Sequence, residues 1–493
     1  MIPTPNLQSP ASGIRVRFPP SPTGFLHVGN ARTALFNYLF AKKYGGRFVL
    51  RIEDTDTERS KKEFEEDIIA GLKWLGIKWD EGVGANGPHA PYHQSERTEI
   101  YKKYLNRLIE NGNAYYCFCA AEELDAQKNY LMSQGLPPKY SGKCASIKKE
   151  TALERAVKGE PHIIRLRVPE KKVVFNDLIK GKIEFDSSLM GDIPIAKDID
   201  SPLYNFAVVA DDEEMKITHV IRGEDHISNT PKQIIIQEML GFNTPIYGHL
   251  PLLLGQDKSK LSKRHGALSV TDYKKMGYLS SALLNFIALL GWNPGSDREL
   301  FSLADLEKKF DIKKVNTSGA VFNVQKLDWF NVQYIKQTPD DELAQMCLPY
   351  LEEAGFADEK TDIKWIEKIV VLGKERIKKL SDIAPLVDFF FVLPDYSAEL
   401  LVWEKSDKSR ILASLKESRK ELSDLPADRF TAPNIKDIFS KIAVQFSIGE
   451  VYWPVRVALS SKAASLGPLE IADALGKEET MERVARAIKK LES

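Results

Sequence analysis

The stretch from residue 14 to residue 75 narrows the fold more than any other part of the chain. Ile14 to Phe18 alternates apolar residues with Arg, as a short strand does. A Pro- and Gly-rich turn runs from Pro19 to Gly24, and Asn30 to Tyr44 then reads as a helix closed by Gly45 and Gly46. Phe48 to Ile52 is a second apolar strand, closed by Glu53, Asp54, Thr55 and Asp56, and Ser60 to Leu75 is again helical. Strand, helix, strand, helix predicts a parallel sheet with helices on its faces. A chain of 493 residues exceeds one ordinary core, so roughly three to five structural units are expected.

The alternation stops near Tyr115. From Cys117 to about Pro202 the chain carries three of its four cysteines and several short strand-like runs, the texture of an inserted domain. The pattern resumes with Thr218 to Ile221 as a strand, Thr230 to Leu240 as a helix and His249 to Leu254 as a further strand, followed by a lysine-rich loop. After about Gln333 the sequence reads as helical. Apolar residues between Trp365 and Leu380 fall close to helical spacing, Asp395 to Pro433 is charged and helical, and the last residues form a charged amphipathic helix.

Composition excludes some classes. The nearest approach to a membrane span, Ala282 to Trp292, is short and contains Asn285. Met1 to Gly13 is rich in Pro and Ser and reads as a loose, disordered tail rather than a signal peptide. Four cysteines in so long a chain make no disulfide framework, and a cytoplasmic protein is expected. The formal net charge is zero, which weighs against a nucleic-acid binder. Locally, however, Lys139 to Lys182 holds 12 Lys or Arg against 5 Asp or Glu, a net of +7. By itself that excess fits a solvated basic face.

Two motifs carry chemistry. The first is Pro20-Ser-Pro-Thr-Gly-Phe-Leu-His-Val-Gly-Asn30, between a strand and a helix. A helix start offers unpaired N–H groups and a positive dipole end, which suit phosphate. Gly29 lets a nucleotide base lie close to the backbone, and His27 can donate a hydrogen bond to a phosphate oxygen. The bland alternative is a Pro-Gly turn with a helix-capping histidine. The second is Lys258-Ser-Lys-Leu-Ser-Lys-Arg-His-Gly266, a basic loop after a late strand. Its lysines can neutralise charge developing on a triphosphate under attack.

Taken together, His27-Val28-Gly29-Asn30 and Lys260-Leu261-Ser262-Lys263-Arg264 resemble the paired HIGH and KMSKS signatures of class I aminoacyl-tRNA synthetases. Arg17 to Gly24, Leu50 to Asp56, Tyr92 to Arg97, Val220 to Asp225 and Pro454 to Leu459 look like the bacterial glutamyl-tRNA synthetases, and the resemblance runs from Gly13 onward. It implies an α/β, Rossmann-type catalytic domain in two halves, residues 14–115 and 203–254, split by a tRNA acceptor-stem-binding insertion at 116–202. A KMSKS loop and linking domain at 255–333 would follow, and then an all-α anticodon-binding region at 334–493. The basic excess falls in the insertion, which turns it towards RNA contact. A glutaminyl relative would end in β-barrels, which the helical texture after Gln333 opposes.

The resemblance also implies a reaction and a site. Glutamate is activated with ATP, carried with Mg²⁺, to glutamyl-adenylate and then transferred to the 3′-terminal adenosine of tRNA(Glu), in an enzyme that is a monomer in this family and commonly waits for tRNA before activating. ATP would be held by Pro20, Thr23, Gly24, His27, Gly29, Asn30, Lys260, Ser262 and Lys263, with His27, Lys260 and Lys263 catalytic. Glutamate would be held by Arg17, Ser21, Glu53, Tyr204 and Arg222, since its two carboxylates want planar, permanently charged partners and its ammonium wants a carboxylate. Some relatives carry Asn four residues after the pocket Tyr, where this chain has Val208. Some bind one structural Zn²⁺ through a Cys-x-Cys…Cys pattern, which here would use Cys117, Cys119 and Cys144. Ser146 stands where some relatives have a fourth-ligand His, so Tyr140 takes that place. Cys347 reads as a core residue.

Overall fold

The structure, a computed structural model, describes residues 13–261, 268–404 and 406–493. Residues 1–12 of the expected tail lie outside the described residues. The chain forms two compact units. One holds the described residues up to 274 together with 280–326, and the other holds 275–279 and 327–493.

The first unit opens with strand β1 (Arg15–Phe18), helix α1 (Val28–Lys43), β2 (Arg47–Leu50), α2 (Lys62–Trp74) and β3 (Glu81–Gly82). β1 and β2 pair in parallel with Val16 beside Phe48, and β2 pairs in parallel with β3. Helix α3 (Thr98–Glu110) follows, and the insertion then supplies β4 (Ala114–Cys117), α4 (Ala121–Ser133), α5 (Lys149–Val157), β5 (Ile163–Leu166), β6 (Lys172–Asp177), β7 (Gly181–Asp186), β8 (Ile193–Asp198) and β9 (Ser201–Pro202). β4, β5, β8 and β9 form one antiparallel sheet, and β6–β7 is a separate hairpin. The α/β pattern returns as α6 (Tyr204–Glu214), β10 (His219–Gly223), α7 (Thr230–Leu240) and β11 (Ile246–Leu250), with β10 and β11 parallel. The amide of Thr218 donates to Arg15 O at 2.9 Å, which brings β10 beside β1. From β1 the chain crosses over α1 to β2, and from β10 it crosses over α7 to β11 on the other side. The crevice between the carboxyl ends of β1 and β10 is therefore the place where an open α/β sheet binds ligands.

The insertion has a small cluster of its own around Tyr115, Cys117 and Cys144, and it shares a larger core with the catalytic halves. One buried apolar cluster runs from Tyr104, Leu105 and Leu108 of α3 through Ile164 and Leu166 of β5 and Ile195 of β8 to Phe206 and Val209 of α6 and Ile235 of α7. Val208 lies in the same cluster at 1% exposure, so apolar packing occupies the position where some relatives place Asn.

The second unit is helical, with long helices at Asp340–Glu353, Ile363–Gly373, Lys408–Asp424, Ala432–Gln445, Ile448–Ser460 and Pro468–Glu492. No helix among the described residues is long and apolar enough to cross a membrane. Three local expectations change. The single strand expected over His249–Leu254 is two pieces, β11 and Leu253–Leu254, because Pro251 interrupts the ladder. The run Trp365–Leu380 stops being helical at Gly373, although Ile377 and Leu380 are buried. Within Asp395–Pro433 only Lys408–Asp424 is a long helix, flanked by turns.

Candidate active site

The end of β1 and the start of α1 build one wall of a cleft. After Phe18 the chain turns through Pro19 and Pro20, and the Pro20 carbonyl accepts from the Glu53 amide at 3.0 Å. The Leu26 amide donates to Asp67 Oδ2 at 2.8 Å, and the Lys61 amide donates to Pro22 O at 2.9 Å. These bonds fix the turn so that His27 becomes the N-cap of α1, with φ −84 and ψ 161. His27 Nδ1 accepts from the Gly29 amide at 3.1 Å and from the Asn30 amide at 3.4 Å. Burial in the cleft and the nearby Lys260 charge lower the His27 pKa, against the pull of Asp225. The imidazole is thus neutral, with its proton on Nε2. The capping and phosphate-donor readings of His27 are compatible, since Nδ1 closes the helix while Nε2–H remains available to donate. A Cβ at Gly29 would lie 3.0 Å from His27 Cε1, so glycine keeps the ring on the helix end.

Two arginines also line the cleft. Arg17, at the end of β1, directs Nε to Asp212 at 3.2 and 3.3 Å. Arg222, at the end of β10, directs Nε to His249 Nε2 at 3.3 Å and NH2 to Thr230 Oγ1 at 2.8 Å. Both arginines are nearly buried, and in both the remaining NH1 nitrogen has no protein partner. Both line one cavity, and two fixed guanidinium groups there match the two carboxylates of a dicarboxylic amino acid. Glu53 is also buried and pairs with Arg51 at 3.0 Å. Burial raises the Glu53 carboxyl in spite of Arg51. Tyr204 OH sits 3.1 Å from His226 Nδ1.

Arg17, Ser21, Glu53, Tyr204 and Arg222 line a single cavity of about 380 Å³ with Pro20, Thr23, His27, Gly29, Asn30 and Lys260. Lys260 reaches it from the basic loop, which is anchored where the Leu261 amide donates to Leu253 O at 2.9 Å. Gly24 is not among the lining residues. Ser262 and Lys263, with Arg264, lie outside the described residues.

Several residues that hold this cavity escaped the sequence reading. Arg51 NH1 bonds Asp212 at 2.9 Å, and Asp212 in turn holds Arg17. Burial alone would raise Asp212, but Arg17 and Arg51 keep its carboxyl below the usual range. Asp211 accepts from Arg97 at 2.6 Å and Gln94 at 2.7 Å. Arg32, on α1, donates to the carbonyls of Pro251 and Leu290 and lines the cavity. The only sequence hint was Arg51 and Glu53 alternating onto one face of a strand; Asp212 lies 195 residues from Arg17, beyond any local pattern.

A second constellation lies in the insertion. The Sγ atoms of Cys117, Cys119 and Cys144 all lie within 4.8 Å of one another. Tyr140 OH is 3.4 Å from Cys117 Sγ and 3.3 Å from Cys119 Sγ, and Cys119 and Cys144 are 3.7 Å apart. Zinc–sulfur bonds of 2.3 Å in a tetrahedron require sulfurs about 3.8 Å apart, so three sulfurs and one phenol oxygen converge as a four-donor site would. The Arg165 guanidinium lies 4.1 Å over the Tyr140 ring. Burial opposes ionisation of Cys117, but hydrogen bonding with Tyr140 and Arg165 lowers its pKa overall. Cys347, by contrast, is fully buried in the helical unit. The basic segment 139–182 is partly neutralised. Lys143, Arg155, Lys171, Lys172, Lys180 and Lys182 each pair with a glutamate, and Arg165 is buried.

Comparison with known proteins points the same way. Residues 13–329 match the family described as tRNA synthetases class I (E and Q), catalytic domain, and residues 342–488 match an anticodon binding domain. The chain is 46% identical over 483 residues to Glutamate–tRNA ligase 1 of Caldicellulosiruptor saccharolyticus, covering 96% of this chain and 98% of that one. It is 45% identical over 491 residues to the glutamate–tRNA ligase of Aquifex aeolicus, covering 97% and 100%. It superimposes with a TM-score of 0.88, at 34% identity over 97% of this chain and 99% of the other, on a crystal structure of a glutamate tRNA ligase from Elizabethkingia meningosepticum in complex with its amino acid.

Proposed function

The chain belongs to the class I glutamate–tRNA ligases, and from that premise we propose how its residues divide the work. It activates L-glutamate with ATP and transfers it to tRNA(Glu). In the first step the α-carboxylate of glutamate attacks the α-phosphorus of ATP, and pyrophosphate leaves. In the second, the 2′-hydroxyl of the terminal adenosine attacks the adenylate carbonyl, and AMP leaves. Neither step needs a covalent enzyme intermediate, so rate comes from positioning and charge stabilisation.

The observation that carries the division is the pair of nearly buried arginines, Arg17 and Arg222, on the cavity that His27 also lines. The arginines take the glutamate carboxylates, and Glu53 takes the ammonium with Ser21 and Tyr204 beside it. His27 Nε2–H and the start of α1 meet the phosphates. Pro20, Thr23, Gly29 and Asn30 frame the nucleotide, and Lys260, with Ser262 and Lys263, supplies donors and charge to its phosphates. Mg²⁺ arrives with ATP and neutralises phosphate charge. The insertion contacts the acceptor stem and the helical unit reads the anticodon.

Cys117, Cys119, Tyr140 and Cys144 would hold one Zn²⁺, which when bound ties β4 to the Tyr140–Cys144 loop. The enzyme works as a monomer in the cytoplasm, where its tRNA is. The test is aminoacylation of purified tRNA(Glu) and tRNA(Gln) by the full chain with glutamate or glutamine. Glutamylation of tRNA(Glu) with glutamine refused is expected; equal use of the two amino acids would overturn the arginine assignment.

A further inference from the structure

Beside the cavity lie two ionisable side chains that neither step of the reaction uses. Asp177 and His249 have side chains with 0% exposure, and they bond to each other, His249 Nδ1 to Asp177 Oδ2, at 2.6 Å. Asp177 stands at the tip of the β6–β7 hairpin, within the insertion, whereas His249 belongs to β11 of the catalytic sheet. The tip is docked on that strand. The Leu178 amide donates to Tyr247 O at 2.9 Å, and the His249 amide donates to Asp177 Oδ1 at 3.2 Å. Asp177 Oδ1 also accepts from the amides of Ile179 and Lys180 at 2.9 Å, which shapes the turn.

The far side of the imidazole faces Arg222, whose Nε donates to His249 Nε2. For this bond Nε2 must present a lone pair, so the ring proton must sit on Nδ1. A carboxylate at 2.6 Å from Nδ1 enforces that tautomer, as carboxylates do behind ligating or catalytic histidines. The charge states agree. Burial alone would raise Asp177, but the bond from His249 and the two backbone amides keep it ionised. Burial and the Arg222 charge keep His249 neutral. With Nε and NH2 fixed by His249 and Thr230, the plane of the guanidinium that lines the cavity is set.

We propose that Asp177 and His249 are positioning residues that aim Arg222 at the glutamate carboxylate, so that the hairpin tip of the insertion sets amino-acid selectivity. The proposal rests on the reading of Arg222 as a glutamate-binding residue. Asn at position 177 would donate to Nδ1, move the ring proton to Nε2 and set it against the Arg222 N–H. Asn at position 249 keeps a donor for Asp177 but removes the acceptor for Arg222. Gln at position 249 can restore an acceptor near the Nε2 position.

The test measures steady-state aminoacylation of tRNA(Glu) by the full chain. Asp177→Asn and His249→Asn should each raise the glutamate KM tenfold or more and narrow the preference for glutamate over glutamine. The ATP KM and kcat should stay within about threefold, and His249→Gln should recover most of the loss. In an Arg222→Ala background neither substitution should raise the glutamate KM further. If Asp177→Asn does not yield soluble protein, the two position-249 variants carry the test. An unchanged glutamate KM in Arg222→Ala would remove the pocket reading itself. A raised KM in Arg222→Ala with normal values in the other variants would overturn only the positioning role. Parallel losses in kcat and in both KM values, or additive effects with Arg222→Ala, would reduce Asp177 and His249 to ordinary packing.

Discussion

At the scale of single residues, the site rests on groups whose charge state is set by their surroundings. His27 is the first case. His27→Ala should slow adenylate formation by roughly 10²–10³-fold, the usual cost of losing one preorganised donor, with tRNA affinity little changed. Single-turnover formation of adenylate reads this directly. His219 is a second case, outside the cavity. Burial lowers its pKa from 6.5 to about 4. The unfolded chain therefore binds a proton that the folded chain refuses between those values. Its contribution is complete above pH 6.5 and is lost as the pH falls towards 4, amounting to roughly 3 kcal/mol. His219→Phe should flatten the fall in Tm between pH 6.5 and 4 relative to the parent, and an identical fall would show that His219 does not drive it. His27, Arg17 and Arg222 were legible because each sits in a short motif at a strand end or helix start. Asp212, Asp177 and His249 were not, because their roles depend on long-range pairs, such as the 72 residues between Asp177 and His249.

At the scale of elements, the insertion makes the sharpest prediction. Protein purified without added metal or chelator should carry about one zinc by elemental analysis. Cys144→Ser should lose it and lower the Tm of the parent. A metal-free parent with an unchanged Tm on chelator treatment would show the cluster to be three reduced thiols in a metal-free fold. The Cys-x-Cys spacing was visible in the sequence, and the convergence of Tyr140 with the three sulfurs depends on how β4 meets the loop before Cys144. The helical unit shows the limit of periodicity. Ile377 and Leu380 satisfy the apolar spacing that begins at Trp365, yet the helix ends at Gly373, and Ile377 reaches the core from a loop and Leu380 from a short 3-10 helix. The final helix is likewise interrupted at Gly476, with φ 80 and ψ 172, a conformation only glycine adopts freely. Hydrophobic spacing reports burial, and the backbone route to burial is decided by tertiary packing.

At the scale of the whole molecule, the family resemblance predicts that activation waits for tRNA. Glutamate and ATP alone should give almost no pyrophosphate exchange, and tRNA(Glu) should switch it on, because binding energy from remote contacts stabilises the reactive geometry. Robust exchange without tRNA would reject that coupling. The order of catalytic half, insertion, catalytic half and helical region was legible from the alternation of strand and helix patterns. What the alternation could not reveal is that Tyr104, Ile164, Ile195, Phe206 and Ile235 share one apolar cluster. That shared cluster has a consequence for how the first unit opens. Segments that bury a common core lose it together, so the backbone amides of Ile164 in β5, Val209 in α6 and Ile235 in α7 should exchange with deuterium through a single cooperative opening. The insertion would then unfold with the sheet that flanks it in sequence, and it could not be exchanged as a cassette with that of a relative unless the residues facing it on α3, α6 and α7 were exchanged as well.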